Sequence, residues 1–491
     1  MTAPDLRSRD AAVIDIGSNS VRLVFYRIEG RAIWTGHNEK VLAGLGREVT
    51  STGKLSRAGV EAARTALKRF RVLLDAIAPA EVHVVATAAV REAEDGPDFC
   101  DRVAADTGLK IRVLTGEEEA RYAALGVLAG SPLAEGLAAD LGGSSLELVP
   151  VGGGRVGHGL TLPLGPFSVK DAADPAGLLG ETLGSRSELR APMIHAVGGA
   201  WRALALLHMR QTRHRLEIVH QYEMSRRDIS DLSRLLSLQS EDSLNRLAKL
   251  AKQRAATLPH AARVLTALCE RAGADRVSFS AYGIREGLLL DTMPEAVRGL
   301  DPLVEGCRAL GARAALSEGF DRSLAAWLKG ALEGQKTHFP PERAARLVEA
   351  GSALADVGAR LHPDHRANVA FEQVLRAPVP GMDHLERAFL AVAVHARYGG
   401  GSLPEEVLAT RLLGREGLDR ARILGLALRL GSDLSGRAPS LLNATRLTRE
   451  GEVLVLRAAR PQADLLLGEK VAKRLGALAQ ALGLTARLEA A

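Results

Sequence analysis

The residues able to do chemistry gather in a stretch that occurs twice. The first copy is Asp15-Ile16-Gly17-Ser18-Asn19-Ser20-Val21-Arg22-Leu23-Val24. The second is Asp140-Leu141-Gly142-Gly143-Ser144-Ser145-Leu146-Glu147-Leu148-Val149. Asp, Gly, the last Ser, Leu and Val share columns. Each copy closes an apolar run, turns tightly on small residues and re-enters an alternating strand. Glycine lets the backbone approach an anion closely. Turn N–H groups and Ser hydroxyls donate to it, and the Asp beside the turn can hold a divalent cation. One D-x-G-x-x-S hairpin means little. Two copies, each opening a similar series of elements, read as a duplicated phosphate cradle. In one column Arg22 stands in the first copy and Glu147 in the second, so only the second offers two carboxylates.

Strands at 11–16, 21–28 and 31–36 surround the first hairpin. An amphipathic helix follows from Ser56, a plausible N-cap, and ends at Pro79. A buried strand at 82–86, a helix from Pro97 to Gly108, a strand at 111–114 and a helix over about 117–129 complete a β-β-β-α-β-α-β-α series. The series then repeats. Strands are read at 137–141, 145–151 and 155–162, a helix at 166–180, a strand at 193–197, a helix from about Ala200, a strand at 276–280 and a helix at 284–290. Extra helical material lies between about 205 and 273. From 303 the segments 303–318, 321–333, 341–358, 367–376, 383–397, 403–412 and 416–433 all read as helices. A hairpin-like stretch at 445–457, a helix over 464–482 and a strand at 485–488 close the chain. The expected domains are a disordered leader (1–10), two lobes (11–134 and 135–302), an all-α domain (303–440) and a small α+β cap (441–491).

A chain of 491 residues with 46% apolar and 25% charged residues has the composition of a soluble globular protein. Its net charge of +6 does not repel polyanions. Cys100, Cys269 and Cys307 are scattered and show no metal or redox spacing, which fits a reducing cytoplasm. No apolar run approaches the ~20 residues of a membrane span, and no signal-peptide core is present.

Five motifs carry a family resemblance. They are Asp15-Ile-Gly-Ser-Asn-Ser20, Ala86-Thr-Ala-Ala-Val-Arg91-Glu-Ala, Thr115-Gly-Glu-Glu-Glu-Ala-Arg121, Asp140-Leu-Gly-Gly-Ser-Ser-Leu-Glu147-Leu and Ser280-Ala-Tyr-Gly-Ile-Arg-Glu-Gly-Leu-Leu290. Over residues 11–291 the chain resembles the exopolyphosphatase / guanosine pentaphosphate phosphohydrolase (Ppx/GppA) family of the actin–hexokinase–Hsp70 superfamily. The resemblance implies two ribonuclease-H/actin-like lobes, followed by an HD-like helical domain.

It also implies site roles. Gly17, Ser18, Asn19 and Ser20 would hold phosphate oxygens from one lobe, and Gly142, Gly143, Ser144 and Ser145 from the other. Asp15, Asp140 and Glu147 would organise Mg²⁺ or another divalent cation, which favours a few carboxylates with phosphate oxygens and waters. Arg91 would clamp substrate phosphates. The general base lies among Glu117, Glu118 and Glu119. Thr115-x-x-Glu118 reads as a capping box, which folds Glu118 back and leaves Glu119 to project. The family's base is the Glu before Ala-Arg, which is also Glu119. The Gly-rich turn Val197-Gly-Gly-Ala-Trp-Arg-Ala203 reads either as a residual nucleoside contact or as a tight turn that presents a helix N-terminus to an anion. The basic run His208, Arg210, Arg213, His214, Arg215, Arg226 and Arg227 reads as a path for a polyanion or as a solvated face. In the HD-like domain the expected His-Asp pair is Ala355-Asp356, with His362, His365 and His395 nearby, so no working metal site is expected there.

The expected activity is hydrolysis of the terminal phosphoanhydride of inorganic polyphosphate, with no organic cofactor, by a cytoplasmic homodimer away from membranes. The alternatives are 5′-phosphohydrolysis of guanosine pentaphosphate, a non-catalytic polyphosphate or nucleotide sensor, and an ATP-dependent kinase of the same superfamily.

Overall fold

The structure is a computed structural model. It describes residues 8–490 apart from 169–173, 185, 241, 245, 247–256 and 333–338. Most of the expected leader and part of the 205–273 insertion therefore lie outside the described residues. The chain divides into two compact units, Met1–Leu300 and Asp301–Ala491. The first unit joins both expected lobes.

In the first lobe, β1 (Arg9–Ile16), β2 (Val21–Glu29) and β3 (Ala32–Val41) form an antiparallel meander. Then come α1 (Val49–Thr52), α2 (Arg57–Ile77), β4 (Glu81–Ala86), α3 (Ala88–Glu92), α4 (Gly96–Thr107), β5 (Arg112–Val113) and α5 (Gly116–Gly130). The sheet order is β3-β2-β1-β4-β5, with β4 parallel to β1. Helix α2 buries Ala63, Leu67, Phe70 and Leu74 at helical spacing, which fixes its face. Ser56 stands at its N-cap, yet the Ser56 hydroxyl donates to Glu48 Oε1 at 2.8 Å rather than capping the helix. Helix α3 has no counterpart in the sequence reading, which passes from the strand at 82–86 to the helix from Pro97.

The second lobe repeats the plan with β6 (Gly136–Leu141), β7 (Leu146–Gly152), β8 (Arg155–Val156), β9 (Leu160–Leu162), α6 (Pro175–Gly184), β10 (Met193–Val197), α7 (Gly199–Gln211), β11 (Tyr222–Ser225), α8 (Arg226–Ser237), α9 (Leu258–Ala272), β12 (Arg276–Phe279) and α10 (Ile284–Asp291). Its sheet runs β11-β12-β10-β6-β7-β8, and β9 also pairs with β7. Three expectations change here. The strand read at 155–162 is two short strands broken at Gly157-His158-Gly159. The helix read at 166–180 is helical, among its described residues, only from Pro175. The insertion is not purely helical, because Tyr222–Ser225 pairs antiparallel with β12 as an edge strand.

Helices α5 and α10 cross between the two sheets and share one core, with Val13, Val24, Val127, Leu128, Val149 and Leu289 from both lobes. Their backbones nearly touch. A Cβ on Gly287 would lie 1.9 Å from the Tyr122 carbonyl oxygen, and one on Gly126 would lie 2.2 Å from that of Gly283. Any side chain at either position would drive the helices apart.

Among its described residues the second unit carries separate helices between Pro302 and Asn443 and ends in the sheet β13 (Thr445–Glu450), β14 (Val453–Ala458), β15 (Thr485–Ala490), in that order. The two helices read at 403–412 and 416–433 are both present within Glu406–Ser435, separated at Gly414, whose φ of 63° is not helical. The tail helix read at 464–482 is two helices, Arg460–Leu466 and Glu469–Leu482. Among the described residues no helix is long and apolar enough to cross a membrane.

Candidate active site

The duplication seen in the sequence is exact in register. Asp15 faces Arg22 across β1 and β2, and Asp140 faces Glu147 across β6 and β7. The Gly17 N–H donates to Ser20 O at 3.0 Å, and the Gly142 N–H to Ser145 O at 2.9 Å. The hairpins meet directly, because the Ser144 hydroxyl donates to Ser18 Oγ at 2.9 Å. Between them lies a cleft of about 170 Å³. Asp15, Gly17, Ser18, Asn19, Ser20, Glu119, Asp140, Gly142, Gly143, Ser145 and Glu147 all line it. Two expected residues do not. Ser144 is buried in the inter-hairpin contact, and Arg91 lies behind Glu119.

Helix α5 delivers Glu119. The Thr115 hydroxyl accepts from the Glu118 N–H at 3.1 Å, and Glu118 Oε2 accepts from the Thr115 N–H at 2.9 Å. This reciprocal cap fixes Glu118 outward, where Arg112 also holds it. Glu119, one residue on, points inward and is only 5% exposed. Its Oε2 accepts from Arg91 Nη1 at 2.8 Å, and the same nitrogen donates to Leu114 O at 2.9 Å. The structure thus places Arg91 against Glu119, the expected base. The reason is helix α3, which turns residue 91 back towards the start of α5. Burial raises the Glu119 carboxyl above its ordinary range; Arg91 opposes this, and Asp15 and Glu92 add to it.

Asp140 and Glu147 are both buried. Burial, then the nearby Glu119, push Asp140 up to about 7. Burial, Glu119 and Asp140 push Glu147 well above the carboxylate range. Glu147 Oε1 is buried with no hydrogen-bond partner. A buried, orphaned carboxylate oxygen beside a second acid fits a hard divalent cation. Asp15, Asp140 and Glu147 all line the one cleft. Among the described residues no three His, Cys, Asp or Glu side chains form a group that could hold a metal ion. Asp15 is instead taken by Arg285, whose Nη1 donates to Asp15 Oδ2 at 2.9 Å.

Sequence reasoning gave no role to the basic wall of the cleft, formed by Arg22, Lys40, Arg202 and Arg285. Burial, then Arg285, lower the Arg22 guanidinium. Burial, then Arg285 and Arg22, bring Arg202 down to about 10. Burial pulls Arg285 down as well, but Tyr26, Glu286 and Asp15 hold it above its ordinary value. Helix α10 carries Arg285. Its neighbour Glu286 accepts from Tyr26 Oη at 2.5 Å and from the Gly283 N–H at 2.9 Å. Arg285 falls within a quoted motif, but its partner Asp15 is 270 residues away, and spacing alone carries no signal for that pairing.

Several members of the basic run carry acidic partners. Arg210 pairs with Glu217, Arg226 with Asp275 and Arg227 with Asp231. In the second unit, Asp356 is buried with Arg437 Nε at 3.1 Å, and His395 contacts Asn368 Oδ1 at 3.1 Å.

Two lobes that bring matching hairpins to one cleft define an actin-like architecture. The chain belongs to the Ppx/GppA phosphatase family, which it matches over residues 24–296; residues 317–488 match the exopolyphosphatase C-terminal domain. A Ppx/GppA family member from Aquifex aeolicus is 27% identical with a TM-score of 0.51, over 58% of this chain and 97% of its own. An exopolyphosphatase from Cytophaga hutchinsonii shares the fold at 23% identity and a TM-score of 0.53, over 57% and 96% of the two chains. Retrograde regulation protein 2 of Saccharomyces cerevisiae is 24% identical over 462 residues, 82% of this chain and 75% of the yeast protein.

Proposed function

We propose that this phosphatase is an exopolyphosphatase, releasing orthophosphate from the end of inorganic polyphosphate. The observation that carries this reading is the crowding of Arg22, Arg202 and Arg285 in one cleft, close enough for Arg285 to lower the proton affinity of the other two. Such a wall favours a multiply charged anion. The match to an exopolyphosphatase C-terminal domain supports the long polymer over a nucleoside polyphosphate.

In this reading the two hairpins donate N–H and hydroxyl groups to the non-bridging oxygens of the terminal phosphoryl group, and the arginines hold the phosphates behind it. Glu119 Oε2 is held by Arg91, so Oε1 is left to take a proton from the attacking water. A bond forms between the water oxygen and the terminal phosphorus. The bridging P–O bond breaks, and its electron pair stays with the shortened chain. Asp140 and Glu147 would hold a divalent cation such as Mg²⁺, which when bound neutralises charge on the phosphate oxygens. The second unit, HD-like in this reading, guides the polymer or dimerises.

The test is phosphate release from long polyphosphate, tripolyphosphate, guanosine pentaphosphate and ATP side by side, with and without Mg²⁺. Mg²⁺-dependent release favouring long polyphosphate is expected. Preference for guanosine pentaphosphate would replace the substrate, and no release from any of the four would make the chain a non-catalytic binder.

A further inference from the structure

His220 lies in the insertion between α7 and β12, outside the roles described above. It is 5% exposed and sits where three segments meet. Its Nε2 lies 3.1 Å from Gly130 O, the last residue of α5, the helix that carries Glu119. Its Nδ1 accepts from the Ala281 N–H at 3.3 Å. A carbonyl on one side and an N–H on the other fix the tautomer, with the proton on Nε2. The imidazole also packs edge-on against Tyr282, with ring centres 4.9 Å apart.

The junction is built tightly. A Cβ on Gly130 would lie 2.5 Å from His220 Cε1 and 2.6 Å from Tyr282 Cδ2, so only glycine lets the segments meet. The next residue, Gln221, donates its side-chain N–H to Gly130 O at 3.0 Å and its backbone N–H to Phe279 O at 2.7 Å. Gln221 holds a left-handed φ of 58°, a cost accepted where the surroundings over-determine the backbone.

The peptide bonded to His220 leads into the cleft. The Ala281 carbonyl accepts from Arg202 Nη1 at 3.2 Å, while its N–H is held by His220. Residues 281–285, ending in Arg285, line the cleft. We propose that His220 is a positioning residue. Through Nδ1 it fixes the 280–283 turn, which in turn holds Arg202 and Arg285 in place for the anionic chain. The insertion thereby serves substrate binding from behind the cleft. This rests on the proposed function, because it concerns how that site holds its substrate.

Two variants of the full chain separate this role from simple packing. His220→Asn places an amide oxygen near the Nδ1 position and keeps an acceptor for Ala281. His220→Gln reaches towards Gly130 and keeps that bond instead. His220→Gln is expected to raise KM for tripolyphosphate about fivefold to tenfold, with kcat within about twofold, and His220→Asn to stay within about twofold of wild type in both. Amide hydrogen exchange over residues 279–286, read without substrate, is expected to speed up in His220→Gln and not in His220→Asn. Unchanged exchange in His220→Gln overturns the role, as does an equal loss in both variants with kcat and Tm falling together. A wild-type chain that releases no phosphate overturns the proposed function, and the exchange comparison still decides His220.

Discussion

Arg91 and Glu119 form one working unit. The guanidinium holds one carboxylate oxygen and opposes the upward push of burial on the acid; in the proposed reading this keeps Glu119 usable as a base. Glu119→Gln keeps the shape but cannot take a proton. It is expected to cut kcat by about 10²- to 10⁴-fold while tripolyphosphate still binds, which calorimetry on the variant would check. Arg91→Met leaves Glu119 buried beside Asp15 and Glu92, which favour its neutral form. We expect kcat to fall about 100-fold with KM within about threefold. A phosphate clamp would show the opposite pattern in steady-state kinetics, with a large rise in KM. At the acid pair, Glu147→Gln is expected to weaken the dependence on Mg²⁺ by about tenfold or more, read as the half-saturating Mg²⁺ concentration for phosphate release.

At the scale of elements, the crossing of α5 and α10 sets the distance between Glu119 and Arg285. Helix α5 carries Glu119 and α10 carries Arg285, and the two touch at Gly126 and Gly287 without intervening side chains. Gly287→Leu would force the helices apart. It is expected to cost about 3 kcal/mol of stability, seen as a shifted midpoint in urea unfolding. An unshifted midpoint would mean that the crossing yields easily and does not set that distance. The hairpins are the second such element. Their contact through Ser18 and Ser144 closes the cleft with hydroxyls rather than apolar groups. A polar closure of this kind can exchange its hydrogen bond for one to a phosphate oxygen.

At the scale of the molecule, the site lies wholly within Met1–Leu300, and a solved relative covers 58% of this chain while matching 97% of itself. Residues 1–300 expressed alone are expected to unfold cooperatively and to hydrolyse tripolyphosphate within about tenfold of the full chain. On long polyphosphate the full chain is expected to gain a further advantage, because a second contact raises the local concentration of polymer. Equal activity of both forms on the long polymer would remove the second unit from substrate handling.

Local sequence determined the features that depend on local physics. The two hairpins announce themselves because glycine, serine and an apolar run specify a turn within ten residues, and their pairing register follows from the turn. The capping box at Thr115 likewise separates Glu118 from Glu119 over a single helical turn. Contacts between distant segments left no such mark. Nothing near Arg91 says that a five-residue helix will turn it onto Glu119, and nothing near Asp15 foretells Arg285. The strand Tyr222–Ser225 is too short to stand out from a helical insertion until β12 offers it hydrogen bonds. The chemistry of the cleft was therefore legible as a set of residue types. Their partners were decided by tertiary structure, because burial and close charge pairs arise only when segments far apart in the chain pack together.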